Sequence, residues 1–217
     1  MPFQSVLKAA VFAILLFLVA YHWLFFLLFI FFAVYFYLRP HLNNGRFPYS
    51  FLILAVVSLI ILNKLPVFSG RFWAVLIFGV LFFILLGIKN LIFIYRQGLY
   101  YIVNASLLLG VFLSFFTADK SEWFVLKYLL AGLAVFLLSR EFLGSFQADS
   151  GGKPPILLFS LIIAFLALET LWAVALLPIG FLNSSALLLL FTLVLGDFAA
   201  NYLSGSLSGT IILRNIT

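Results

Sequence analysis

Between Val6 and Leu38 the chain is apolar almost without interruption, and long apolar runs fill most of the remaining sequence. Runs of this kind leave few folding options. Inside a bilayer there is no water to satisfy backbone N–H and C=O groups, so a crossing segment is either a helix or part of a closed barrel. These runs lack the strict two-residue alternation of a barrel strand, which points to helices of roughly 20 residues for a ~30 Å hydrocarbon layer. With 66% hydrophobic residues, 8% charged residues and 29 phenylalanines in 217 positions, a water-soluble domain would have no means of hiding its apolar surface. The expected fold is an all-α integral membrane protein, a polytopic bundle of about eight transmembrane helices with no soluble domain.

Interruptions in the apolar pattern place the spans. A single helix from Val6 to Leu38 would overshoot the bilayer, so two helices are expected, turning at Tyr21-His22-Trp23, whose amphipathic rings suit the interface. The N-terminal run has a lysine ahead of an apolar core, as a signal peptide does, but no A-x-A-like site comes after it, and it is read as a mature span. Arg39-Pro40-His41 closes the second helix, and Asn43 to Pro48 is a loop. The third helix is expected over 49–62, the fourth over 72–88, entered through Ser69-Gly70-Arg71, and the fifth over 100–116. Asp119 and Glu122 have the spacing of a capping box for a sixth helix over 123–138. The seventh covers 156–177, and the eighth starts near Ser184 after a turn through Pro178, Gly180 and Asn183. Residues 145–155 are the only linker-like punctuation and divide the chain into 1–144, with six helices, and 156–217, with two helices and a tail rich in small residues.

The twelve lysines and arginines outnumber the six acids. They sit singly at the ends of apolar runs, which suits orientation and headgroup contact and makes nucleic acid an unsuitable partner. With eight spans, Lys8, Arg39, Arg46, Lys89, Arg96, Arg140, Lys153 and Arg214 share the side of both termini, against Lys64, Arg71, Lys120 and Lys127. Both termini are therefore expected in the cytoplasm, with a prokaryotic plasma membrane as the setting. Lys89 and Arg96, seven residues apart, are read as one face of a helix end whose cations reach lipid phosphates, with Gln97-Gly98 stopping the run.

Two acids fall inside expected spans, and an intramembrane ionisable group is a functional candidate because its burial is costly. These are Glu169 and Asp197. From the 178–183 turn, ~1.5 Å per residue puts Glu169 roughly 14 Å deep and Asp197 roughly 20 Å deep, so their contact requires a sheared helix pair or a bridging water. Glu169 lies opposite Ser160, Ala164 and Ala167 on its helix, which leaves the buried face of that helix open. Around Asp197, helical spacing sets Gly196, Ala200, Ser204 and Ser208 in one stripe and Asp197, Asn201, Gly205 and Gly209 in the next. A face so poor in apolar surface is expected in the protein interior, where small residues let another backbone approach. Glu169, Asp197 and Asn201 form a candidate proton or ion site, with Asn104 or serine hydroxyls as alternative packing partners of the acids.

Catalytic readings each lack a part. Leu195-Gly196-Asp197 resembles the Gly-x-Gly-Asp motif of intramembrane aspartyl proteases, but Val194 stands where the first glycine belongs, and no second intramembrane aspartate is present. Gly205-Ser206-Leu207-Ser208-Gly209 resembles the Gly-x-Ser-Gly of rhomboid-type proteases with one residue too many, and His22 and His41 lie far back in the chain. Without cysteine, and with scattered acids, no metal site or cofactor is expected. Two functions remain as expectations. One is a non-enzymatic membrane component that contacts lipids and assembles with itself or another membrane protein through the last helix. The other is a small transporter of a proton-coupled or lipid-like substrate using Glu169 and Asp197.

Overall fold

The computed structural model describes residues 2–19, 23–38, 47–65, 68–89, 92–117, 124–145 and 155–204. Among them the regular structure is entirely helical. The eight helices are α1 (Pro2–Val19), α2 (Trp23–Leu38), α3 (Pro48–Lys64), α4 (Phe68–Lys89), α5 (Arg96–Thr117), α6 (Phe124–Ser145), α7 (Ile156–Ala175) and α8 (Phe181–Leu203). Four of these, α4, α5, α7 and α8, are long and apolar enough to cross a membrane, which is consistent with a membrane location. Helices α1, α2 and α3 are apolar but shorter, and α6 carries Lys127, Arg140 and Glu141.

The run from Val6 to Leu38 is two helices, α1 and α2. Several boundaries lie outside those read from polarity. Ser69-Gly70-Arg71 forms part of α4, Gln97-Gly98 lies in the first turn of α5, Asn183 lies inside α8, and α6 continues through Arg140 and Glu141 to Ser145. The physical reason is common to all four. Polar and charged side chains are adequate helix formers, and a single internal glycine costs only about 1 kcal/mol, so polarity marks where a helix meets water and not where it ends.

Packing divides the chain into two compact units, Met1–Gly110 and Val111–Thr217, with the division inside α5. The punctuation at 145–155 therefore falls within the second unit, where α6 packs chiefly on α7.

The first unit is organised by phenylalanine. Phe12 of α1 stacks on Phe82 of α4 with centroids 4.2 Å apart, Phe29 of α2 tilts onto Phe12 at 5.1 Å, and Phe51 of α3 meets Phe82 at 5.7 Å. Phe12, Phe29 and Phe82 are almost wholly buried. Lipid tails are as apolar as these rings, so burial alone gives no preference for protein over lipid, and dispersion and ring geometry decide the contact. Phe17 also meets Phe68 at 5.7 Å, so the ladder Phe12–Phe82, Phe17–Phe68 makes α1 and α4 antiparallel.

Helix α3 runs parallel to the start of α5. Ser50 Oγ and Tyr100 Oη hydrogen-bond at 2.9 Å in the interior, and further along in the same sense a Cβ at Gly110 would meet Val57. At the head of α3, Phe47 is buried with φ 75°, its ring 4.1 Å from that of Tyr100, and Pro48 opens the helix.

In the second unit, α6 and α7 form the main contact, and α8 packs on both. A Cβ at Gly132 of α6 would come within 2.6 Å of Leu168 Cδ1, so any larger residue would force that leucine to shift. The Tyr128 hydroxyl of α6 donates to the Leu168 carbonyl at 2.5 Å. Two side chains thus fix α6 against α7 at a single level.

Candidate functional site

Helix α7 buries Ser160, Ile163, Ala164, Ala167, Leu171 and Val174, a stripe at three- and four-residue spacing. This settles which face of α7 is inside. Glu169 stands two residues from both Ala167 and Leu171, about 200° around the helix from each, and it is exposed. Its neighbours on that outer face are Ile162, Phe165, Trp172 and Leu176, all exposed. The carboxylate lies within electrostatic reach of the Tyr128 hydroxyl.

Helix α8 buries Ser184, Ser185, Leu188, Thr192, Gly196, Ala199 and Ala200. Of the small-residue face, Gly196 and Ala200 are therefore buried. A Cβ at Gly196 would stand 3.6 Å from the Phe142 ring of α6, an ordinary contact. Asp197 and Asn201, on the adjoining stripe, are half-buried, and Asn201 Nδ2 donates to the Asp197 main-chain carbonyl at 2.8 Å. The stripe does not continue inward at Ser204. The helix ends at Leu203, and Ser204 is exposed, with its Oγ donating to the Asn201 carbonyl at 3.1 Å. Gly205, Ser208 and Gly209 lie outside the described residues, as do His22, His41, Asp119 and Glu122.

The structure does not bring Glu169 and Asp197 onto one buried face, since Glu169 points away from the side by which α7 meets its neighbours. Several buried serine and threonine hydroxyls of these helices are engaged within their own helix. Ser160 donates to Ile156, Ser185 to Phe181 and Thr192 to Leu188, a local satisfaction that lets a polar residue sit in an apolar interface. Asn104 of α5 is buried with its Oδ1 lacking a hydrogen-bond partner, far in sequence from either acid.

Lys89 and Arg96 require a correction. They do not share a helix end, because α4 stops at Lys89 and α5 begins at Arg96. The chain doubles back between them. The Ile92 N–H donates to the Gly87 carbonyl at 2.9 Å, and the Phe93 ring lies over Gly87, where any Cβ would collide with it. Arg96 Nε donates to the Phe93 carbonyl at 3.0 Å, so this guanidinium closes the connection.

The links that sequence reasoning missed are Tyr128–Leu168, Phe142–Gly196 and Ser50–Tyr100. Each joins positions far apart in the chain, and periodicity along one helix carries no information about its neighbour. Among the described residues no three histidine, cysteine, aspartate or glutamate side chains gather as a metal site. The chain matches no protein-family model, no curated protein and no solved structure.

Proposed function

We propose that this chain is a multi-pass, non-enzymatic membrane component that crosses the bilayer eight times with both termini in the cytoplasm and assembles through helix–helix packing. The observation that carries this reading is how little the fold covers its last two spans. Only 28% of the apolar window of α7 and 22% of that of α8 is buried, against 56% for α4. These same two helices carry Glu169 and Asp197, and acids on little-covered spans are costly in lipid and favour a protein neighbour. A transport route through both acids would need them on one path, and their opposite placements favour assembly.

The first test concerns the small-residue end of the chain. Replacing Gly205 and Gly209 with leucine should change the oligomeric or complexed state seen by native mass spectrometry in detergent. An unchanged state in a normally folded variant would remove α8 and its continuation as the assembly surface.

A further inference from the structure

Charge is divided unevenly along this chain. Residues 1–110 hold seven of the twelve lysines and arginines and none of the six acids. They are also the first compact unit, so no carboxylate of that unit balances its cations. Two of the seven are brought together. Phe12 stacks on Phe82, and a Cβ at Gly79 would stand 3.2 Å from Ala13, which fixes the register of α1 against α4. Lys8 is one turn before Phe12, and Lys89 is two turns after Phe82 on nearly the same face. Because the helices are antiparallel, both lysines lie beyond the stacked rings at one end of the pair. They are half-buried and stand within electrostatic reach of each other. A third cation, Arg96, is held at this end by its bond to the carbonyl of Phe93, whose ring covers Gly87 two residues before Lys89. Hydrogen bonds to neutral groups orient such side chains and leave their charge in place, so like charges are gathered here against their mutual repulsion.

The surface beside them is apolar. Val6 and Leu7 of α1 are 51% and 56% exposed, and Ile94 and Tyr95, which follow the end of α4, are 91% and 83% exposed. A ligand suited to this end offers negative charge to the lysines and hydrocarbon to their surroundings. A phospholipid does both, because lysines at a helix end reach headgroup phosphates while their stems stay in apolar surroundings. We propose that Lys8 and Lys89 together hold the phosphate of an anionic phospholipid at this end of α1 and α4, with Val6, Leu7, Ile94 and Tyr95 beside its glycerol and upper acyl chains. A zwitterionic headgroup fits less well, since it brings a cation of its own back to the two ammonium groups. The site uses none of the residues on which the assembly reading rests, so the outcome at Gly205 and Gly209 does not decide it.

The test is lipid binding to the full chain in detergent, followed by native mass spectrometry with phosphatidylglycerol and phosphatidylcholine of the same acyl chains. The wild-type protein should bind phosphatidylglycerol more tightly. Lys8→Gln and Lys89→Gln should each weaken that binding about fivefold, and the double variant about thirtyfold. Lys64→Gln removes the same charge from the opposite end of the first unit and should leave it unchanged. Equal binding of the two lipids by the wild type, or an equal loss in Lys64→Gln, overturns the proposal. Thermal unfolding separates lost binding from lost structure. Without lipid the double variant, relieved of repulsion, should melt no lower than the wild type, yet it should lack the rise in melting temperature that phosphatidylglycerol gives the wild type. A lower melting temperature without lipid would make the two lysines structural contacts and overturn the site. Glycerol 1-phosphate, added to the wild-type complex, distinguishes a lipid from a free phosphate. It should not displace phosphatidylglycerol at millimolar concentration, and displacement would overturn the lipid as occupant.

Discussion

At the scale of single residues, the decisive positions in the second unit are glycines that differ in what they face. Gly132 and Gly196 both lie buried in helices at helix–helix contacts. At Gly132 an added methyl would overlap Leu168, whose level is fixed by the Tyr128 hydrogen bond to its own carbonyl. At Gly196 the nearest ring atom would be at ordinary contact distance. Gly132→Ala should therefore cost about 1–3 kcal/mol from overpacking. Gly196→Ala should be neutral, or stabilising by up to about 1 kcal/mol through helix propensity. Reversible unfolding in mixed micelles measures both, and equal losses would mean that the two contacts are equally tight. From the sequence the two positions cannot be told apart in this way. The Gly196–Asp197 neighbourhood draws attention because it contains an acid, whereas Gly132 sits in an unremarked apolar run and carries the tighter contact.

At the scale of elements, the start of α3 sets a conformational cost against a packing gain. Phe47 adopts a left-handed conformation, which costs a side chain with a Cβ about 1–2 kcal/mol. In return its ring is buried against Tyr100. Burying a phenylalanine contributes ~1.5–3 kcal/mol, and an aromatic pair adds about 0.5–1.5 kcal/mol, so packing outweighs strain. Phe47→Gly should relieve the backbone and still destabilise the protein by about 2 kcal/mol, the mid-range difference between those contributions. A stabilised variant would show that the strain exceeds the packing. Pro48 signals where this helix starts, since proline suits a first helical position; nothing in the sequence signals the left-handed turn before it, which arises from a ring–ring contact more than fifty residues distant. The other boundaries divide in the same way. Excess length and interfacial rings separated α1 from α2, and Pro178 and Gly180 separated α7 from α8, while the start of α4 and the end of α6 run through polar residues that a helix tolerates, and the break from Lys89 to Arg96 goes with a local contact, Phe93 over Gly87.

At the scale of the whole molecule, the proposed eight crossings make a prediction about sidedness that the cysteine-free chain allows to be tested. Single cysteines replacing Gln4, Asn63 and Gln97, all exposed at or near helix ends, should label from opposite faces of the membrane. Those at 4 and 97 should react only from the cytoplasmic face and that at 63 only from the other. If α1, α2 and α3 do not all cross, 4 and 63 can react from one face, which would reduce the number of spans. The helical nature of the chain and its apolar character were readable because composition and run length act on every residue at once. Which faces meet was not, because a lipid-immersed helix can be apolar on its buried and exposed sides alike, as α7 is at Ala167 and Phe165. The parallel course of α3 and α5 carries one more implication, for biogenesis. Ser50 leaves the ribosome well before Tyr100, its hydrogen-bonding mate, and α4 must be threaded between the two events. During that interval α3 has no α5 to dock against, so the first unit can acquire its final architecture only after the fifth segment has been delivered to the bilayer.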